Sequence, residues 1–257
     1  MTALAELSGL AGDWLWGSFA VFLRAAGAFA LMPAFGEQVV PARIRLGLAL
    51  AVTAICAPAV LATLDLPAPD LALLVRLVLA ETLSGLLIGA VLRLFVMALQ
   101  IAGSIAAQAT SLAQLLGGAA GEPLPTLGHV LTISALALLT LAGFHVQIAE
   151  ALVLSYGVLP FGAFPGGAEV SPWGVAAVAQ AFALGFTLAA PFLLVSTLYN
   201  LTLGVINKAM PQLMVAFVGA PLITFGAVAI LMLCTPLMLS VWHAAILSAL
   251  ARPFGAP

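Results

Sequence analysis

The sequence contains very little charge. Of its 257 residues, 6% are charged and 64% are hydrophobic, whereas a soluble domain carries about 25% charged residues. Seven Lys/Arg and nine Asp/Glu side chains cannot cover the surface of a soluble protein of this length. Several apolar runs also exceed the ~18 residues that mark a candidate membrane helix. The chain is therefore an integral membrane protein, and its net charge of −2 says little about its partners.

Cysteines and catalytic motifs are also scarce. Cys56 and Cys234 lie in separate apolar runs, which favours small packing residues over a disulfide or a metal site. The sequence has no HExxH motif, no GxSxG motif and no phosphate-binding loop. These absences argue against an enzyme, and we expect no cofactor and no nucleic-acid partner. The first ten residues carry Glu6 but no Lys or Arg, so we expect no cleaved signal peptide.

Long apolar segments predict an all-α membrane fold. No alternating strand pattern of an outer-membrane barrel is present, and no soluble domain or long linker interrupts the chain, so we expect one membrane domain over residues 1–257. Kinks are expected at Pro191 and Pro236, which lie inside the last two segments. Gly85 and Gly89 have the small-xxx-small spacing that lets helix backbones approach closely. The six segments are 14–32, 44–64, 71–99, 127–159, 173–206 and 213–250.

The loops between these segments differ in charge. Arg43 and Arg45 lie in the first loop and Lys208 in the fifth, whereas the second and fourth loops carry acidic residues only. Because Lys and Arg favour the cytoplasmic side, we expect the odd-numbered loops on that side. Arg252, near the C-terminus, favours the opposite orientation.

Five ionisable side chains lie inside apolar segments. A charge at the centre of a lone membrane helix costs ~2.5–3.5 kcal/mol, so each needs a partner or an aqueous surface. One interpretation is structural pairing or snorkelling to a headgroup; the other is a substrate or proton path. Arg24 and Glu81 form the first candidate pair, because the first and third segments can lie side by side. The five residues are Arg24, Arg76, Glu81, Arg93 and Glu150.

Two polar stretches interrupt the apolar pattern. The first runs from Gln100 to His129 and begins with a helical polar stripe formed by Gln100, Ser104, Gln108 and Ser111. Its glycines and prolines, from Gly117 onwards, cannot continue a regular helix. The second, "NKAMPQ", lies between the last two apolar runs. Each is either a simple connecting loop or irregular backbone that protein or a water-filled cavity covers at membrane depth.

Three blocks of the sequence resemble the FliR family of flagellar biosynthetic proteins and its SctT counterpart in injectisomes. "FLRAAGAFALMPAFGEQVVPARIRLGLALAVT" (Phe22 to Thr53) is similar to the family's N-terminal signature. "LQIAGSIAAQATSLAQLL" with "PLPTLGHVL" is similar to its central loop, and "YNLTLGVINKAMPQLMVAFVGAPL" to its C-terminal signature. Together these blocks span nearly the whole chain in the family's order.

The resemblance implies a subunit of the type III export gate. Family members assemble with FliP and FliQ and associate with FlhB and FlhA, and unfolded export substrates pass through the centre of the assembly. The subunits are bent helical hairpins that rise out of the bilayer plane, so a simple six-span topology is not implied. Localisation would be the bacterial inner membrane, at the flagellar basal body.

The resemblance also implies roles for the two polar stretches. The central loop corresponds to a channel plug, and the "NKAMPQ" stretch joins two hairpin arms. The family's central stretch usually carries phenylalanine and an Asp-Pro, whereas this one is rich in Ala and Gly, so leucines or partner methionines are expected to form the seal. The plug residues are Gln108, Ser111, Leu112, Leu115, Leu116, Gly117 and Gly118, and the turn residues are Asn207, Lys208, Pro211 and Gln212.

Other functions stay open at this point. An injectisome gate subunit fits the same motifs. A solute channel or secondary transporter would use Arg24, Glu81 and Glu150 as its path, although the related halves that many transporters show are not apparent here. A purely structural membrane anchor explains neither the central stretch nor the charges.

Overall fold

The apolar segments form helices because a helix satisfies its backbone hydrogen bonds internally, as an apolar environment requires. The computed structural model describes residues 2–37, 39–63, 70–115, 126–210 and 215–251, and all regular secondary structure in these ranges is helical. The predicted all-α fold is therefore confirmed. The helices are α1 (Thr2–Leu31), α2 (Ala42–Leu61), α3 (Leu71–Leu115), α4 (Thr126–Leu141), α5 (Phe144–Val158), α6 (Gly167–Ala209) and α7 (Val215–Ala251).

Five of these helices are long and apolar enough to cross a membrane, and α4 with α5 can make a sixth crossing as a bent pair. The predicted fourth segment is thus two helices, which meet at 77°. The chain turns there because Gly143 adopts a left-handed backbone conformation (φ +76°), which glycine tolerates best. By contrast, α6 and α7 continue as helix through Pro191 and Pro236. Helix α3 also extends past the predicted end at residue 99 and includes the polar stripe.

The chain divides into two compact units. Unit 1 contains Met1–Leu94, Leu139–Ala177 and Ile246–Pro257, and unit 2 contains Phe95–Leu138 and Val178–Ala245. Each unit buries its own set of large apolar side chains. Phe29, Met32, Leu77, Phe144 and Ile148 are buried in unit 1, and Leu99, Leu131, Phe192 and Trp242 are buried in unit 2.

In unit 1, glycines bring the backbones of α1 and α3 into direct contact. A Cβ atom on Gly27 would lie 2.6 Å from the carbonyl oxygen of Thr82, and one on Gly85 would collide with the carbonyl oxygen of Arg24. Gly89, one turn further along α3, meets α1 in the same way. The small-xxx-small pair noted in the sequence therefore lies at a helix–helix contact.

Unit 2 contains similar close contacts around α3. A Cβ atom on Gly103 would collide with the backbone of Gly128 in α4, and one on Gly185 in α6 would lie 2.9 Å from a carbonyl oxygen of α3. From α7, the buried Trp242 indole donates a hydrogen bond of 2.7 Å to the carbonyl oxygen of Phe95. In this unit the backbone of α3 is thus in contact with α4, α6 and α7.

The glycine contact in unit 1 gives a direct test. Gly85→Ala forces α1 and α3 apart, and we expect a loss of ~1–3 kcal/mol in the free energy of unfolding, as for other overpacked sites. Gly47→Ala is the matched control, because nothing lies within 4 Å of a Cβ added at that helical glycine. The melting temperatures of both variants in detergent, followed by tryptophan fluorescence, provide the measurement. Equal melting temperatures for the two variants would contradict the contact.

Candidate functional site

The most elaborate polar arrangement in unit 1 surrounds Arg24, whose side chain is 1% exposed. Its Nε donates to Glu81 Oε2 at 2.7 Å, which confirms the pairing expected from the sequence. One terminal nitrogen donates to Ser155 Oγ at 2.9 Å, and the other to the carbonyl oxygen of Leu159 at 3.0 Å. The guanidinium carbon also lies 3.6 Å from the ring centroid of Tyr156, a cation–π contact.

Glu81 is completely buried and has a partner for each carboxylate oxygen. Besides Arg24, Oε2 accepts a hydrogen bond of 3.3 Å from the Tyr156 hydroxyl. Oε1 accepts a hydrogen bond of 2.8 Å from the backbone N–H of Gly162. We call Arg24, Glu81, Ser155 and Tyr156 the buried charge cluster.

The buried charge cluster holds the connection between α5 and α6. Leu159 and Gly162 lie in this connection, and each donates or accepts through its backbone to Glu81 or Arg24. Arg76 adds a third contact, since its Nε donates to the carbonyl oxygen of Gly162 at 3.0 Å. Gly162 has a left-handed backbone (φ +66°), and a Cβ there would lie 2.9 Å from Leu77 Cδ2. A residue with a side chain would therefore disturb both the turn and its packing.

This geometry favours structural pairing over a translocation path for Arg24 and Glu81. A solute path needs charged groups that water and solute can reach, whereas these two side chains are 1% and 0% exposed and bind one another. Removing one partner of such a pair leaves an uncompensated buried charge, which costs ~3–5 kcal/mol. The cluster therefore fixes α1, α3 and α5 in one register.

The other predicted intramembrane charges do not join the cluster. Arg93 pairs with Glu37, in the connection between α1 and α2, and both side chains are partly exposed. Glu150 is exposed and makes no hydrogen bond or ion pair with the part of the chain that the structure describes. The transporter interpretation grouped Glu150 with Arg24 and Glu81, and the structure does not place it in contact with them.

The polar stripe lies on a helical surface of α3 in unit 2. Gln100 and Gln108 are exposed and Ser104 is partly exposed. Of the proposed plug residues, Ser111, Leu112 and Leu115 lie in the last turns of α3, where the structure describes the backbone only. Leu116, Gly117 and Gly118 lie outside the described residues.

The predicted hairpin turn is described in part. Asn207 and Lys208 occupy the last turn of α6, which ends at Ala209, and both are exposed. A lysine at this position interacts favourably with the helix dipole. Pro211 and Gln212 lie outside the described residues, so the expectation that Pro211 ends the first arm stays a prediction.

The described residues form no metal-binding group, and one cavity among them is largely apolar. No three His, Cys, Asp or Glu side chains in those ranges come together as a metal-binding group. Cys56 and Cys234 are free, and the buried Cys56 thiol donates to the carbonyl oxygen of Ala149 at 3.6 Å. A cavity of about 180 Å³ between α6 and α7 is lined mainly by apolar side chains, with Ser196 and Tyr199 as its polar members. It carries no charged side chain for binding an ionic solute.

Sequence reasoning missed several residues of these arrangements. Ser155, Tyr156 and Gly162 were not singled out, because hydroxyls and glycines are unremarkable in an apolar helix and its loop. Tyr156 is one of only two tyrosines in the chain, which is a weak signal. Glu37 had a stronger sequence signal, since it is the single acidic residue between Asp13 and Asp65.

A double-mutant cycle tests the buried pair. Glu81→Ala should lower the free energy of unfolding by ~3–5 kcal/mol, because it leaves the Arg24 guanidinium buried without a counter-charge. Arg24→Ala and Glu81→Ala together should be non-additive, with a coupling of ~0.5–3 kcal/mol. The readout is thermal unfolding of the detergent-solubilised protein, with Glu150→Ala as an exposed carboxylate control. Strict additivity would refute the energetic coupling of the pair.

Comparison with known proteins places the sequence in a family. A family model described as "Bacterial export proteins, family 1" matches residues 15–249. The flagellar biosynthetic protein FliR of Caulobacter vibrioides (strain ATCC 19089 / CIP 103742 / CB 15) is 34% identical over 224 residues, which cover 86% of this chain and 89% of that protein. FliR of Bacillus subtilis (strain 168) is 30% identical, with 79% of each chain covered.

A further relative comes from a third bacterium. FliR of Escherichia coli (strain K12) is 28% identical over 232 residues, which cover 88% of this chain and 87% of that protein. Residues 15–249, which the family model matches, include the buried charge cluster, the polar stripe and the last turn of α6. The chain belongs to the bacterial export proteins, family 1, the family of the flagellar biosynthetic protein FliR.

Proposed function

We propose that the protein is a membrane subunit of the flagellar type III protein export gate. In this proposal it forms, with FliP-like and FliQ-like subunits, the channel for unfolded export substrates, and FlhB and FlhA associate with the assembly. The gate lies in the bacterial inner membrane at the flagellar basal body. The observation that carries the proposal is the family match over residues 15–249 together with relatives named FliR over most of the chain.

The lengths of the apolar helices support a role as one subunit among several. Helices α3, α6 and α7 contain 45, 43 and 37 residues, whereas one straight span needs ~20. Helix segments beyond the hydrocarbon core are normally polar, but the apolar stretches Leu71–Ala109 and Val170–Ala209 continue for 39 and 40 residues. Their apolar surface therefore needs a cover other than water, which neighbouring protein subunits provide.

Exposed aromatic and aliphatic side chains also support a role as one subunit among several. On α6 and α7, Phe182, Phe186, Phe225, Met232 and Leu233 are each at least 60% exposed within this chain. Exposed apolar patches of this kind mark protein–protein or membrane contacts. The buried charge cluster fixes α1, α3 and α5 in one register. Its Arg24 and Glu81 side chains are 1% and 0% exposed, so they do not line an open solute path.

The central stretch is proposed to seal the channel. Gln108 and Ser111 continue the polar stripe, Leu112, Leu115 and Leu116 provide apolar side chains, and the glycines that follow lower the cost of a rearrangement. A plug of this kind blocks ions when the gate is closed and leaves the path when a chain enters. The proposal for these residues rests on the sequence pattern and on the family.

Affinity purification tests the assembly. A tagged copy expressed with its neighbouring export genes should co-purify with FliP-like and FliQ-like subunits as one complex, because its exposed apolar helices need protein partners. The same protein expressed alone should give low yield or aggregates. A monodisperse monomer that transports a solute in proteoliposomes would favour the transporter interpretation instead.

A deletion tests the plug. Removing residues Gln114 to Gly121 should leave the complex assembled but permeable to small ions, because it removes the seal and shortens α3 only by its last two residues. Membrane conductance and growth rate are the readouts, with co-purification as the assembly control. Replacing Leu112, Leu115 and Leu116 with Ser should give a milder leak. Normal assembly and export without ion leakage would show that the stretch is only a connector.

A further inference from the structure

Three of the seven basic side chains in the sequence gather where α2 begins. Arg45 donates from its NH2 group to the carbonyl oxygen of Glu37 at 3.1 Å, and Arg93 pairs with the Glu37 carboxylate. Arg43 is exposed and makes no hydrogen bond within the described part of the chain. We call Arg43, Arg45 and Arg93 the arginine patch.

The arginine patch has more positive charge than its surroundings neutralise. Glu37 is the one acidic side chain that forms an ion pair with the patch among the described residues, and the sequence has no other Asp or Glu between Asp13 and Asp65. The three arginines therefore carry two more positive charges than Glu37 neutralises. The Nε atom of Arg45 also has no hydrogen-bond partner among the described residues, although it is shielded from solvent. The patch is thus complementary to an anion.

The side chains around the patch are apolar and exposed. Val39 is 91% exposed, Ile44 55% and Leu46 51%. Val39 lies in the connection before α2, and Ile44 and Leu46 lie next to Arg43 and Arg45 at the start of α2, a helix of 20 residues with the length and apolar composition of a membrane span. Arginines in the first turn of a span lie at the border of the hydrocarbon core, where their guanidinium groups reach the lipid headgroups.

We propose that the arginine patch binds the headgroup of an anionic phospholipid. The guanidinium groups bind the phosphate, and Val39, Ile44 and Leu46 enter the adjoining acyl-chain region. A soluble anion satisfies the arginines but leaves these apolar side chains in water, so the combination favours a lipid. The expected position of this connection on the cytoplasmic side agrees with the negative surface of that leaflet. The proposal does not depend on the export function.

Lipid titration of the full-length protein, purified in mild detergent with any attached subunits, tests this site. The probes are dioctanoyl phosphatidylglycerol, dioctanoyl phosphatidylcholine and inorganic phosphate at equal ionic strength. The shift of the melting temperature with probe concentration gives an apparent Kd for each. We expect the protein to be stabilised by phosphatidylglycerol and much less by the other two probes.

Substitutions then locate the site. An arginine near an anionic surface contributes ~1 kcal/mol, which is about fivefold in Kd. Arg43→Gln, which breaks no contact in the described structure, should therefore weaken phosphatidylglycerol binding about fivefold, and Arg43→Gln with Arg45→Gln about 30-fold. Lys208→Gln is the matched control for an exposed cation elsewhere and should leave the Kd unchanged. Arg43→Lys with Arg45→Lys should bind phosphatidylglycerol more tightly than Arg43→Gln with Arg45→Gln.

Three results would overturn the proposal. Phosphatidylcholine that stabilises as well as phosphatidylglycerol would show a non-ionic lipid effect, and inorganic phosphate that does so would identify a free-anion site. If Arg43→Gln keeps the Kd for phosphatidylglycerol but releases co-purifying subunits, the patch is an interface for an acidic protein surface. Failure to co-purify with gate subunits, with lipid selectivity intact, would refute the proposed function and leave the lipid site standing.

Discussion

The backbone contact between α1 and α3 is the constraint on which unit 1 depends. In an apolar environment helices gain little from hydrophobic burial, so close packing and polar contacts decide which helices associate. Gly27, Gly85 and Gly89 remove the side chains that would separate the two backbones. Arg24 and Glu81 lie about one turn from this contact, and the short distance lets their side chains meet at 2.7 Å. Glycine packing and ion pairing thus support one another.

The ion pair in turn gives the packing its register. A shift of α1 along α3 would leave a buried guanidinium and a buried carboxylate without partners, at a cost of several kcal/mol. The pair also reaches beyond its own helices, since it binds Ser155 and the backbone of Leu159 and Gly162. One buried pair therefore orders α1, α3, α5 and the connection to α6. The buried Arg24–Glu81 pair fixes the positions of these elements, and the hydrogen bonds that its nitrogens and oxygens make explain how the buried charge is tolerated.

Several polar and charged groups outside the cluster are exposed in the part of the chain that the structure describes. Gln100 and Gln108 are exposed on α3, and Arg43 is exposed at the start of α2. Many exposed side chains of α6 and α7 are apolar, so these helices offer little surface suited to water. The long apolar helices account for this character, because a membrane protein presents much of its surface to lipid or to other proteins.

The sequence by itself determined the membrane class, the all-α fold and the family, because composition, segment length and ordered motifs are local properties. It also indicated the Arg24–Glu81 pair, since two opposite charges in neighbouring apolar helices have few other partners. The break at Gly143 was not predicted, because one glycine among many carries no sign of its backbone angle until the packing around it is known. The roles of Tyr156, Gly162 and Glu37 were decided by tertiary structure alone. Their partners lie 56 to 81 residues away in the chain, and only the folding of the chain brings such distant groups within hydrogen-bonding distance.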